Sequence, residues 1–235
     1  AAAFGGLIGV HAENAEVAAF GSEEMAAHAG APNSMHDEAR PWWVELEAIE
    51  RAVLFARNTG ARLYICHMTI PEGAQFIKQA KMDGVPVYAE TCPHYLLFDK
   101  SIMDERGAFA KCNPPIRSRE QVEKLWNYVF DGTIDTLGSD HGPYTDEEKQ
   151  KNGNFYLEYS GFGGFDAMLA GMITEGVHKR GLPLTTLSRI TATNTAAIMG
   201  LAPCKGTLLP GADADIAVVD LNEDWIFDGT KSLSK

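Results

Sequence analysis

At 235 residues and 45% hydrophobic composition, the chain is long enough to bury one large core, or one core plus a small second domain, which excludes a disordered polymer. A formal charge of −12, with no Lys/Arg-rich run, excludes nucleic acid and anionic membrane as partners. Apolar stretches break well short of the roughly 20 residues a membrane span needs, and Cys66, Cys92, Cys112 and Cys204 lie far apart without a CxxC pair, which reads as reduced thiols in a cytoplasmic protein.

No signal peptide opens the chain and its first methionine is Met25, so both ends read as internal to a longer protein. In chain order, four apolar runs end in polar or ionisable residues: Leu7 to Glu13, Arg62 to Thr69, Pro86 to Thr91 and Thr133 to His141. Rich in Val, Ile, Leu and Tyr and bounded by Gly or Pro, they predict buried strands of a parallel sheet. Helical spacing fills the gaps. Glu45 to Arg57 places Leu46, Ile49, Val53 and Leu54 on one face and stops at Thr59-Gly60. Pro71 to Met82 carries Pro71 in its first turn, and Ser118 to Phe130 opens with a capping serine. Gly161 to Arg180 and Leu184 to Met199 read as closing helices. From Gly206 the pattern changes to turns and an extended run, Ile216 to Val219, so residues 1–205 are expected to form one α/β unit and 206–235 the start of a small β domain.

Repeated strand and helix build either an open doubly wound sheet or a (β/α)8 barrel. The chemistry separates them, because His11, His67 and Asp140 all fall at strand C-terminal ends, the face where barrel enzymes place their active sites. Two imidazoles and a carboxylate are also the ligand set of a zinc-like ion that keeps a position open for water. His94 and His141 are expected as supports around that site, and His28, His36 and His178, in polar or helical contexts, as solvated. Cys92 and Cys112 read as small buried hydrophobes.

The segments VHAEN (10–14), ICHMT (65–69), AETCPHYL (89–96), KCNPPIRS (111–118) and GTIDTLGSDHGPYT (132–145) resemble, in order, the signature segments of the cyclic amidohydrolases: hydantoinases, dihydropyrimidinases and allantoinases. The resemblance implies the later half of a (β/α)8 barrel and a two-metal site, zinc being the expected metal. It further implies a ring amide or ureide opened by a metal-bridging hydroxide. His11 and His67 would bind one metal. Asp140 would bind the other and act as general base and acid. Asn113, Ser160 and Gly161 would hold the ring's imide edge. A homotetramer is the assembly the resemblance implies.

The same resemblance calls for a His-x-His pair and a carboxylated lysine bridging the metals, both upstream of VHAEN. The chain has no His-x-His, and its first lysine is Lys78. A half-barrel with an open edge is therefore expected to need the missing half from elsewhere to be stable and active. Opening of a hydantoin or dihydropyrimidine is the leading expectation. Allantoin is the first alternative, with a dihydroorotase or a non-catalytic dihydropyrimidinase-like scaffold behind it.

Overall fold

In the computed structural model, which describes residues 1–28 and 30–232, the four apolar runs pair as one parallel sheet in chain order. They are β1 (Leu7–Val10), β2 (Arg62–Ile65), β3 (Val87–Thr91) and β4 (Thr136–Leu137). Ile8 pairs with Leu63, Leu63 with Val87 and Thr91 with Leu137, so all four strands end on the same side. Each strand is shorter than the run that predicted it. The polar tails, beginning at His11, Cys66 and Gly138, leave the ladder and become loops at that shared end.

The intervening segments coil because their apolar positions recur at helical spacing. Helix α1 (Ala15–Ala27) starts where Asn14 Oδ1 accepts from the Val17 amide at 3.3 Å. Helix α2 (Trp42–Thr59) begins after Pro41, three residues earlier than expected, and stops where Gly60 takes a left-handed φ of 68°. Helix α3 (Pro71–Met82) keeps its predicted bounds, and α4 (Arg119–Phe130) has Ser118 as its cap. Their inward faces supply Ile49 and Val53, Ile77, and Leu125, Trp126 and Val129, which pack with Leu63, Ile65 and Val87 of the sheet in one buried core. Each such side chain contributes roughly 1.5–3 kcal/mol.

Downstream, the first closing helix begins later than its predicted start. Gly161 donates its amide to the Lys111 carbonyl at 2.9 Å, which commits it to a loop, and helix appears as a 3-10 turn over Phe165–Ala167, then α over Met168–Met172, continuing as π-helix over Ile173–Lys179. The second is α over Leu184–Ser188, π over Arg189–Thr193 and α again over Asn194–Ile198. Residues 206–232, expected to begin a β domain, contain no strand. Val218 is 94% exposed, and the extended run 216–219 has no ladder partner among the described residues. The last three residues of that predicted segment lie outside the described ones. No helix among the described residues is long and apolar enough to cross a membrane, and all four cysteines are free.

One buried cation crosses the structure. Arg117 donates through Nε to Thr69 Oγ1 (2.9 Å), through Nη1 to Asp37 Oδ1 (2.8 Å) and the Arg40 carbonyl (2.6 Å), and through Nη2 to Glu45 Oε2 (3.1 Å). Glu45, equally buried, also accepts from the Thr69 amide at 2.8 Å. Removing one partner leaves an uncompensated charge in the interior, so Arg117→Leu is expected to lower unfolding free energy by about 3–5 kcal/mol, with Arg117→Leu/Glu45→Leu recovering part of that loss. Urea denaturation of the two variants measures both. A double variant as unstable as the sum of its parts would show that the pair is not what holds these segments.

Candidate metal centre

The ends of β1 and β2 bring two imidazoles together. His11 Nδ1 and His67 Nε2 stand 3.0 Å apart, with ring planes at 65°. His11 is fixed from behind: its Nε2 lies 2.8 Å from Glu13 Oε2, and Glu13 is gripped by Arg40 through Nε (2.9 Å) and Nη2 (2.6 Å). Burial would raise the Glu13 pKa, but hydrogen bonds from His11 and Arg40 and the arginine's charge outweigh it and draw it down to about 2. An ionised carboxylate only accepts, so Nε2 of His11 carries the proton. In the neutral ring the lone pair then sits on Nδ1, facing His67. Burial, and next the neighbouring His11, hold the His67 pKa below its ordinary value, favouring the neutral ring that metals bind.

Backbone strain marks the same places. Among the described residues, only His67 (φ 38°) and Asp140 (φ 44°) are non-glycines with positive φ, a conformation that costs of order 1–3 kcal/mol and clusters at functional sites. The His67 amide donates to Glu90 Oε1 at 3.0 Å, which holds that turn. Asp140 is exposed at the end of β4. Its negative charge favours the protonated form of His67 and disfavours ionisation of Glu90 and Cys66, and it forms no hydrogen bond with either imidazole.

Do these residues fit a divalent ion? Two imidazoles with converging nitrogens are suitable donors, a carboxylate orienting the far nitrogen is the usual outer support of such a ligand, and the buried Nδ1 of His67 has no hydrogen-bond partner. They fit as a two-imidazole contribution. Among the described residues no three His, Cys, Asp or Glu side chains gather to hold an ion.

The remaining candidates have contacts of their own. His94 is buried and stacks on Phe162 (4.8 Å, 13°), while the His141 backbone bridges to Phe162. Asn113 precedes a cis peptide bond to Pro114. Ser160 and Gly161 lie on the loop that closes against Lys111. Burial, and then the charge of Glu90, raise the Cys92 thiol. Burial lifts Cys112 to about 12, so neither is a thiolate nucleophile.

Residues 8–233 match the amidohydrolase family. The chain belongs to that family. Among curated relatives, the allantoinase of Escherichia coli (strain K12 / DH10B) is 37% identical over 217 residues, covering 92% of this chain and 47% of the relative. Among solved structures, the L-hydantoinase (dihydropyrimidinase) from Arthrobacter aurescens superposes with a TM-score of 0.86 at 36% identity, over 91% of this chain and 48% of that one. Dihydropyrimidinase from Brevibacillus agri NCHU1002 gives 0.83 at 30% identity, over 89% and 47%. The chain spans about half the length of the curated relatives it matches. The sheet β1–β4 with its helices is thus part of an amidohydrolase-type barrel.

One expectation fails in this amidohydrolase fold. His36, expected to be solvated, is 1% exposed, and its Nε2 donates to Asn113 Oδ1 (2.9 Å) and the Cys112 carbonyl (3.2 Å). Its neighbours Ser34, Asp37 and Glu38 are polar, and the partner that buries it lies 77 residues away. Glu13 and Arg40 were likewise not singled out, although Glu13 stands within the VHAEN segment. Burial, and then the charge of Lys111, depress the His36 pKa to about 3 from 6.5. Between those values the unfolded chain binds a proton at this position that the folded chain does not, so stability is lost as pH falls from 6.5 towards 3. His36→Gln keeps a donor but does not titrate, and thermal melts across that window are expected to show a shallower loss than in the natural protein. An unchanged slope would remove His36 from the acid response.

Proposed function

We propose that this chain provides metal-binding and proton-transferring residues of a hydrolase that opens the C–N bond of a cyclic amide or ureide, of the hydantoin or dihydropyrimidine kind. The observation that carries the reading is the convergence of His11 Nδ1 and His67 Nε2 at 3.0 Å on adjacent strand ends of an amidohydrolase barrel. Allantoin is the second substrate, favoured by the 37% identity to proteins named allantoinase.

His11 and His67 would hold a divalent ion, zinc in the first instance, as part of a two-metal site. When bound, such ions acidify a water and polarise the amide carbonyl. The Glu13–Arg40 pair keeps the His11 proton on Nε2 and so keeps Nδ1 available as a donor. Asp140 takes the proton from the attacking water and passes it to the ring nitrogen as the C–N bond breaks, so that this nitrogen becomes the neutral –NH2 of the ureido group and the carbonyl carbon becomes a carboxylate. Main-chain groups near Asn113 and Ser160–Gly161 receive the ring's imide edge, a neutral pattern of N–H and C=O that amide groups complement.

A spectrophotometric panel of dihydrouracil, substituted hydantoins and allantoin on the native protein tests this reading. Ring opening of at least one is expected, abolished by a chelator and restored by zinc. Asp140→Asn is expected to lower kcat by about 10²–10⁴-fold. Full turnover by a demetallated protein, or by Asp140→Asn, would refute the assignment.

A further inference from the structure

Two buried lysines lie outside the chemistry described so far. Lys149, 3% exposed, ends the short helix Asp146–Lys149, whose start is pinned by a reciprocal Thr145–Glu148 capping box. Its Nζ donates to three carbonyls: Lys111 (3.1 Å), Tyr159 (2.9 Å) and Gly161 (2.8 Å). These use all three protons of an ammonium. The second lysine, Lys111, 3% exposed, donates to the carbonyls of Tyr156 (2.8 Å) and Glu158 (2.6 Å). The Lys111 carbonyl also accepts the Gly161 amide at 2.9 Å.

The pattern is unlike a stabilising ion pair. The Lys149 ammonium is hydrogen-bonded only to neutral carbonyls, and the attraction of Glu158, which forms no ion pair with it, is outweighed by the loss of hydration on burial, a loss that an apolar side chain of similar size avoids. What the ammonium gains is geometry. It ties the loop segment leading to Asn113, two residues after Lys111, to the loop that carries Ser160 between its two other acceptors. Packing supports the same junction: Tyr144 stacks on Tyr159 (5.2 Å, 2°). A Cβ at Gly161 would meet Tyr144 Cε2 at 2.7 Å, so the loop has one place to lie.

We propose that Lys149 is a positioning residue, whose ammonium sets the spacing between the Asn113 segment and the Ser160–Gly161 segment by donating to carbonyls of both. The inference rests on the ring-opening reading for what those segments grip. Because it acts through backbone groups that touch the ring in ground and transition state alike, losing it removes uniform binding: KM rises while kcat holds.

The test uses the native protein with Lys149→Met, close in size and without donors, and Lys149→Gln as a gentler second variant. On whichever ring the natural protein opens, KM is expected to rise about 10- to 100-fold with kcat within about twofold. The Gly161 amide is expected to exchange its hydrogen about 10-fold faster or more. Lys149→Cys alkylated with 2-bromoethylamine rebuilds the ammonium and is expected to restore KM, with the natural protein treated alike to account for Cys66 and Cys204. If either variant leaves KM and Gly161 exchange unchanged, or lowers kcat alone, the proposal is overturned. Should the natural protein open no ring, the ring-opening reading fails by itself and amide exchange still decides whether Lys149 positions the loop.

Discussion

The guanidinium of Arg117, sealed in the interior, is the interaction on which the candidate centre depends. Its four acceptors lie 48 to 80 residues upstream of it, and each is a short step from a residue of the site. Asp37 follows His36, which holds Asn113. The Arg40 carbonyl fixes the residue whose own guanidinium grips Glu13 and, through it, His11. Thr69 lies two residues beyond His67. Glu45 anchors the first turns of α2. A planar cation with five donors in a fixed fork can serve four partners at once in a way that an ammonium cannot, so one side chain sets the relative positions of both imidazoles and the Asn113 turn.

Strain enters where this scaffold hands over to chemistry. Parallel strands deliver their C-terminal ends to one face, but a strand continuing in extended conformation would carry His67 and Asp140 onwards along its own direction. The left-handed turns at these two residues redirect the chain at the rim. The opposing support is visible at His67: its amide goes to Glu90 Oε1, the Met68 amide goes to the Glu90 carbonyl, and Thr91 Oγ1 donates to the Met68 carbonyl at 2.8 Å. Three hydrogen bonds of roughly 1 kcal/mol each match a conformational cost of the same order.

How much of this was legible in the sequence follows from the range of each interaction. The parallel strands and α3 and α4 were readable because periodicity, caps and Pro71 act within one turn or one pleat. The meeting of His11 and His67 was readable because strand ends are a topological position, and topology follows from the order of elements; Asp140, past the end of β4, does not join them in a group of three ligands among the described residues. His36 was not: burial is conferred by Cys112 and Asn113, and nothing in the local run Asn33–Arg40 announces them. Arg117, Lys111 and Lys149 have the appearance of ordinary surface charges in one dimension. Only the fold converts them into buried cations. The late helices fail for a different reason, since periodicity measures which faces are apolar and does not separate α from π winding. In the run Ile216 to Val219, four consecutive apolar residues signal a capacity to pair, and pairing needs a neighbour that the described residues do not offer.

The two sides of the centre are built with opposite electrostatic logic, and the proposed substrate explains why. On the imidazole side, ionised Glu13 stands directly behind His11, hydrogen-bonded to Nε2 across the ring from Nδ1, the outer support that a cation-binding imidazole would use. On the Asn113 and Gly161 side, the cations Lys111 and Lys149 are kept behind the backbone, their protons committed to carbonyls. Under the proposed ring opening, a neutral ring with an imide edge would meet amide groups there, whose donors and acceptors match its own. An exposed ammonium at that edge would favour a carboxylate-bearing competitor, because a desolvated charge pair outweighs a neutral hydrogen bond by a factor of about two in strength. Burying the lysines against carbonyls would, in that proposed reaction, retain their rigidity while withholding their charge from the ring, discriminating against anionic rings and leaving shape and the imide pattern to select the substrate.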